Sequence, residues 1–452
     1  MHIDFLFDVF NEFDNSDSII WKGSKHSYRS LMHNVEKFQL LIDSHQIKPG
    51  TVVALEGDFS PNSITLLLAL IEKECIVVPL TNTSNKNENR LFEIAQVEFV
   101  FRVDEKDVIT SNNVSKRSDN KYYKIIRERE HPGLVLYTSG TSGEPKAAVH
   151  DLLGLLEKFK TRRKAFRTLN FLLFDHWGGL NTMFHILSNG GVVIATKDRN
   201  PENICKLIEK HKIELLPASP TFLNLMLLSG VYKNYDLNSL KIISYGTEPM
   251  SEGTLKRLKI IFPEVKLLQT YGLIELGVMR SKSEKDDSLW VKVGGDDYKT
   301  RIVDGMLEIN AKSAMLGYLN APSPFTEDGW FKTGDAVEVK GEYIKILGRK
   351  SEIINVGGNK VYPQEVESVI QEMDNVAEVT VFGEKNLIMG NIVSANVRLL
   401  MDEDNKDFTI RLKQYCAGRL VNFMIPVKVK IVDNQQYGER FKKIRSATSI
   451  TH

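Results

Sequence analysis

The 452-residue sequence is poor in cysteine and has no surplus of charge of either sign. Its three cysteines, Cys75, Cys205 and Cys416, stand far apart with no metal-ligand spacing. That excludes a disulfide framework or a cysteine-bound zinc and fits a reducing compartment. Lys and Arg total 59 against 58 Asp and Glu, a formal charge of +1. No long-range field favours nucleic acid as a partner, so any work done by charge must be local. Long apolar runs are also missing. The stretch 64–71 ends at charges well short of a membrane-spanning length, so no membrane span is expected. The N-terminus MHIDFLFDVFNEFDNSD is acidic and has no basic start leading into an apolar core, so it does not read as a signal peptide. Together these absences predict a cytoplasmic globular protein, and the length predicts more than one domain.

The hydropathy pattern alternates. TVVALEG, CIVVPL and VEFVFRV read as strands separated by the helical segments NSITLLLALIEKE and NRLFEIAQ. A second series runs from Gly191 to Gly272: VVIAT, ENICKLIEKHK, IELLPASP, a helix from Thr221, KIISYG, SEGTLKRLKIIF and VKLLQTYG. Asn200 and Pro201 form an N-cap and first-turn pair for the helix that places Ile204, Leu207 and Ile208 on one face. These series predict two doubly wound α/β halves. The polar segment 111–120 reads as a mobile surface connection. After Trp290 the texture changes to short alternating strands, an antiparallel appendage, and from Arg349 a separate small unit of strands and helices follows. The expected domains are 1–348 and 349–452.

Three polar motifs follow apolar strands: YTSGTSGEPK after GLVL, YGTEP after KIIS, and TYGLIE after KLLQ. Ligands of open α/β sheets bind beyond the carboxyl ends of strands, so the three point to one shared cleft. In the first, glycines allow backbone amides to approach an anion, the hydroxyls of Thr138, Ser139, Thr141 and Ser142 add donors, and Lys146 adds a positive charge. The spacing is not that of a Walker A loop. By composition alone the stretch reads as a phosphate cradle or as a hydrophilic surface turn.

YTSGTSGEPK resembles the signature loop of the adenylate-forming superfamily, which contains acyl-CoA synthetases, firefly luciferases and the adenylation domains of nonribosomal peptide synthetases. VVPL, YGTEP at 245–249, TYGLIE at 270–275, GWFKTGD at 329–335, GRKSEIINVGGNKVYPQEVE at 348–367 and a lysine-rich terminus follow in that family's order. The resemblance implies a large N-terminal domain of doubly wound sheets with a small β-barrel-like part, followed by a small mobile α+β C-terminal domain. It implies activation of a carboxylic acid by ATP and Mg²⁺ through an acyl-adenylate, then transfer to a thiol. Thr138, Ser139, Gly140, Thr141, Ser142, Gly143 and Lys146 would hold the β and γ phosphates. Glu275 would hold Mg²⁺, Tyr271 would stack on adenine beside Gly246, Thr247, Glu248 and Pro249, and Asp335 with Arg349 would bind the ribose. Lys443 would be the catalytic lysine that reaches the α-phosphate, with a register that can slip to Lys442. Asp175, His176, Trp177 and Gly272 would line the substrate pocket, His176 serving as a gate and Asp175 as a structural or capping acid. The alternative for Asp175 is the ammonium-binding aspartate of amino-acid-activating domains.

Three positions depart from the family pattern: Ile274 stands for a threonine, Ser351 for a charged hinge residue, and Lys442 for a glycine. The expected acceptor is CoA, the alternative being the phosphopantetheine arm of a carrier protein. A rival of another class is a nucleotide-binding regulatory protein with lapsed catalysis. The chain is expected to act as a monomer or homodimer, and its length leaves little room for a fused carrier or reductase.

Overall fold

The computed structural model describes residues 2–443 other than 82–87, 115–116, 139–143, 296, 388, 439–440 and 442. Two seven-stranded sheets form the body of the larger part. In the first, Lys266–Gln269, Ile242–Tyr245, Leu215–Ala218, Arg167–Leu169, Val192–Ala195 and Asp17–Trp21 lie in that order and in parallel, and Ser24–Ser27 closes the edge as a hairpin. The second is parallel through Gly133–Thr138, Ile76–Leu80, Val52–Glu56 and Phe99–Val103. Antiparallel strands stand at both of its edges: Lys146–Asp151 and Gly317–Tyr318 on one side, Ile109–Asn113 on the other.

Central strands such as Val52–Glu56 and Ile76–Leu80 are buried at every position. This is why they read as continuous apolar runs rather than alternating ones. The helices between them start where expected. Asn200 accepts from the Asn203 amide and Pro201 takes the first turn of Pro201–His211. Ser60 and Ser219 cap Pro61–Glu72 and Pro220–Ser229 in the same way. A large core joins the faces of both sheets to helices Asp4–Phe13, Tyr28–Ser44 and Trp177–Leu187. All three cysteines are buried and free.

A six-stranded antiparallel sheet follows, starting at Arg280–Ser283 rather than after Trp290, and a bridge between Gly295 and Tyr298 brings its ends towards each other. Beyond Arg349, strands Ile354–Val356, Asn359–Val361, Val376–Asn386, Gly390–Leu399 and Lys428–Ile431 carry helices Pro363–Ile370 and Asn405–Cys416. This α+β unit has its own core around Val366, Phe408 and Leu412.

The segment 111–120 departs from expectation. Residues 111–113 belong to the edge strand Ile109–Asn113, and Ser118 is buried, donating to Glu98, which also pairs with Arg127 at 2.9 Å. A polar edge strand has one face to water and so reads like a loop. Thr138 and Lys146, on either side of the phosphate-loop motif, are cross-strand partners in the antiparallel pair Gly133–Thr138 and Lys146–Asp151.

Glycines fix how Trp177–Leu187 is seated. A Cβ on Gly179 would stand 2.2 Å from the Leu173 carbonyl oxygen and 2.8 Å from that of Leu172, whereas one on Gly154 meets nothing closer than 3.5 Å. Gly179→Ala is expected to cost about 2 kcal/mol in chemical denaturation, while Gly154→Ala in the helix Leu152–Leu156 costs nothing or stabilises by up to about 1 kcal/mol. Equal midpoints for the two variants would contradict this seating.

Candidate active site

The carboxyl ends of strands Ile242–Tyr245 and Lys266–Gln269 lie side by side, and the chain leaving them is drawn tight. The Thr270 amide donates to the Tyr245 carbonyl at 2.8 Å and its hydroxyl to the same oxygen at 3.1 Å. A Cβ on Gly246 would fall 2.4 Å from the Thr270 hydroxyl, so the residue must be glycine. Thr247 takes a positive φ of 73° and its buried hydroxyl has no hydrogen-bond partner among the described residues. Glu248 accepts from the Thr221 amide at 2.8 Å and from the Lys443 amide at 3.3 Å.

The next turn delivers Tyr271, whose hydroxyl donates to Asp335 at 2.5 Å. Asp335 is paired across the antiparallel sheet with Arg349, whose Nε stands 2.9 Å from its other oxygen. The same guanidinium donates to the Thr333 carbonyl at 2.7 Å. The carboxylate is only 5 % exposed. Burial pushes its pKa up, with Arg349 and the Tyr271 hydroxyl pulling the other way. Burial and the Asp335 charge hold the Tyr271 phenol far above its usual range.

Lys146 and Glu275 meet through a residue that sequence reasoning missed. The Tyr318 hydroxyl donates to Glu275 Oε1 at 2.5 Å, and the Lys146 ammonium lies 5.7 Å from the centre of the Tyr318 ring. The other Glu275 oxygen makes no hydrogen bond, and Lys146 has no carboxylate partner, among the described residues. Both groups are thus available to a ligand. Tyr318 reaches them because Gly317–Tyr318 pairs with Val149 and Ala148, and Asn320 bonds the Ala147 amide and the Pro145 carbonyl. Nothing local in the sequence signals that long-range pairing. The Glu275 charge bears on both Asp335 and Arg349, so the two groups of residues lie near one another. Thr138 ends the strand beside Lys146, while Ser139, Gly140, Thr141, Ser142 and Gly143 lie outside the described residues.

His176 caps helix Trp177–Leu187, its Nδ1 accepting from the Gly178 amide at 3.0 Å. Asp175, expected as a structural or capping acid, is not the cap. It is buried and accepts from the Thr81 hydroxyl at 3.3 Å. A residue earlier in the turn cannot reach the amides that the cap position faces. Trp177 is buried, with its indole nitrogen beside Gly277. Gly272 begins the two-stranded hairpin Gly272–Leu273 and Gly277–Val278, which carries Glu275 in its turn.

Lys443 lies by the 246–249 turn, but its ammonium pairs with Glu367 of helix Pro363–Ile370 at 3.0 Å. That carboxylate is 1 % exposed, and its role was not foreseen although YPQEVE was. Phe441 stacks on Tyr437 and packs against Phe171 and Phe222, joining the small C-terminal unit to the larger one. Lys442 lies outside the described residues. Ile274 packs against two apolar clusters, and Ser351 sits in the exposed turn Lys350–Glu352.

Comparison with known proteins agrees with this architecture. The sequence model described as AMP-binding enzyme matches residues 7–304, and that of the AMP-binding enzyme C-terminal domain matches 365–442. The chain belongs to the AMP-binding enzyme family, within the adenylate-forming superfamily. It is 26% identical over 455 residues to 2-succinylbenzoate–CoA ligase of Listeria monocytogenes, covering 92% of each chain. Its fold matches the crystal structure of the anthranilate CoA ligase AuaEII with anthranoyl-AMP at a TM-score of 0.82, 16% identity, and 98% and 95% coverage. It also matches the o-succinylbenzoate CoA synthetase of Bacillus subtilis with OSB-AMP at a TM-score of 0.75, 18% identity, and 99% and 98% coverage.

His150 lies four residues beyond Lys146 on the same strand, fully buried, with neither ring nitrogen hydrogen-bonded among the described residues. Burial lowers its pKa to about 4, and the nearby backbones of Ile274 and Ser313 offset only part of that. The folded-state pKa is below the unfolded one, so the neutral imidazole's contribution is present above about 6.5 and is lost as pH falls towards 4. Between pH 7 and 5 this residue is expected to account for about 2 kcal/mol of lost stability. Denaturation of wild type and His150→Gln at both pH values checks it, and equal pH slopes would contradict it.

Proposed function

We propose that the protein is an AMP-forming acid–thiol ligase. The acid's carboxylate oxygen attacks the α-phosphorus of ATP, pyrophosphate leaves, and an acyl-adenylate results. The sulfur of CoA then attacks the acyl carbon, AMP leaves, and the thiol proton passes to solvent. What supports this reading is that Tyr318 brings Lys146 and Glu275 together, that Tyr271, Asp335 and Arg349 form a second group, and that the Glu275 charge bears on Asp335 and Arg349.

Each residue has a role that its surroundings suit. Lys146, with the 138–143 loop, offsets the charge of the β and γ phosphates, and its lack of a carboxylate partner leaves it free to do so. Glu275 offers an uncommitted oxygen of the type a hard cation prefers. When bound there, Mg²⁺ neutralises phosphate charge. Asp335 accepts from the two ribose hydroxyls, with Arg349 beside it as a further donor to the sugar. Tyr271 stacks its ring on the adenine, and the tight turn at Gly246 and Thr247 lines the other side of the base. Gly272, Asp175, His176 and Trp177 line the acid's path, with His176 held by its cap bond as a gate.

Residues 349–452 act as the moving unit. Lys443 leaves Glu367 and reaches the α-phosphate and acyl oxygen, where negative charge grows in the transition state. Turning this unit then presents the Gly357–Gly358 region to CoA. The buried free cysteines support a cytoplasmic site of action, where the protein works as a monomer or homodimer.

Lys443→Ala is expected to lower ATP–pyrophosphate exchange by about 100-fold or more with ATP affinity retained. Lys442→Ala should leave exchange largely intact. Full exchange in both variants would overturn the assignment of the chemistry.

A further inference from the structure

Lys146 and Glu275 are far apart in the sequence, and residues 313–320 bond to the surroundings of both. On the side of the turn that carries Glu275, the Ser313 hydroxyl donates to the Leu276 carbonyl at 2.6 Å and the Met315 amide to the Glu275 carbonyl at 2.8 Å. On the side of strand Lys146–Asp151, the Leu316 amide donates to the Val149 carbonyl at 2.7 Å and the Leu319 amide to that of Ala147 at 2.9 Å. Asn320 spans Lys146 itself, accepting from the Ala147 amide at 3.0 Å and donating to the Pro145 carbonyl at 2.8 Å. Backbone bonds thus set the spacing between the lysine's strand and the glutamate's turn.

Tyr318 adds a side-chain link across the same gap. It is buried, its hydroxyl donates to Glu275 Oε1 at 2.5 Å, and its ring centre lies 5.7 Å from the Lys146 ammonium. Burial and the Glu275 charge hold the phenol far above its usual range, so it keeps its proton and meets the carboxylate as a donor. Its own seat is tight. A Cβ on Gly317 would stand 2.2 Å from the Tyr122 hydroxyl oxygen and 2.4 Å from the ring carbon that bears it. A carboxylate bonded through one oxygen is restrained in its rotation, which aims the second oxygen. Partners that orient a metal-binding carboxylate in this way govern metal affinity nearly as strongly as the carboxylate does.

We propose that Tyr318 is a positioning residue that, by fixing Glu275 relative to Lys146, couples the binding of Mg²⁺ to that of the triphosphate. The inference rests on the adenylate-forming reading of the site. It goes beyond that reading in assigning the cooperation between metal and phosphate to a residue that acts through Glu275. With the hydroxyl gone, ordering the carboxylate costs part of the free energy of metal binding.

The test is calorimetric titration of ATP into the protein in EDTA and in saturating Mg²⁺, which gives the factor by which the metal strengthens nucleotide binding. Tyr318→Phe keeps the ring beside Lys146 and removes only the hydroxyl. In a variant that stays folded by circular dichroism, the factor is expected to fall about tenfold, with the affinity for metal-free ATP close to that of wild type. In a Glu275→Gln background the same substitution should change the factor no further, since its effect passes through that carboxylate. An unchanged factor in Tyr318→Phe, an equal loss of affinity with and without the metal, or a further loss in Glu275→Gln would each overturn the inference while leaving acid activation standing. Wild type that binds no ATP under either condition would overturn the adenylate-forming reading and this inference with it.

Discussion

The structure turns on a carboxylate withdrawn from water. Asp335 is held between the Tyr271 hydroxyl and the Arg349 guanidinium, and these residues come from three different places. Tyr271 leaves the edge strand of the first sheet, Asp335 lies in the antiparallel sheet, and Arg349 ends the last strand before the C-terminal unit. The carboxylate is buried while the Arg349 side chain is 46% exposed, so the desolvation of Asp335 offsets much of the attraction and solvent screens the rest. What the pair does supply is position, since removing any one partner leaves the others uncompensated. Its geometry brings three segments to one point and leaves Arg349 at the boundary across which the small unit is attached.

Charge is distributed along the crevice in a consistent order. The Tyr318 hydroxyl occupies one Glu275 oxygen, and its ring lies beneath the Lys146 ammonium, so one tyrosine spaces the acid from the base. Had Lys146 and Glu275 paired directly, neither would be open to phosphate or metal. Lys443 is in the opposite situation. Its ammonium is taken by Glu367, which is also bonded by the Val381 amide at 3.0 Å. Under the proposed reaction Lys443 would exchange this ion pair for another, the kind of discrete alternative that would let a rotating unit act as a switch.

Much of this was legible in the sequence, for physical reasons. Fully buried parallel strands such as Val52–Glu56 are continuous apolar runs, and helix starts carry capping chemistry, as Asn200–Pro201 and Ser251 show. Glycines fix close approaches, so Gly246 and Gly179 mark the turns they occupy. What escaped depends on contacts distant in sequence. Tyr318 reaches Glu275 only because its short strand joins the edge of a sheet built some 170 residues earlier. The strand Ile109–Asn113 is polar because it lies at an edge, and its composition is that of a loop. The cap of Trp177–Leu187 fell to His176 and not to the neighbouring Asp175, a one-residue difference that composition cannot decide.

The central claim is that distant segments form one crevice for a magnesium nucleotide, with Asp335 at its centre. Calorimetric titration of MgATP into wild type and Asp335→Asn tests it most directly. Binding at a single site in wild type, weakened about tenfold or more in a variant that remains folded by circular dichroism, is the predicted result. Undiminished affinity in folded Asp335→Asn, or no binding of MgATP to wild type, would contradict it.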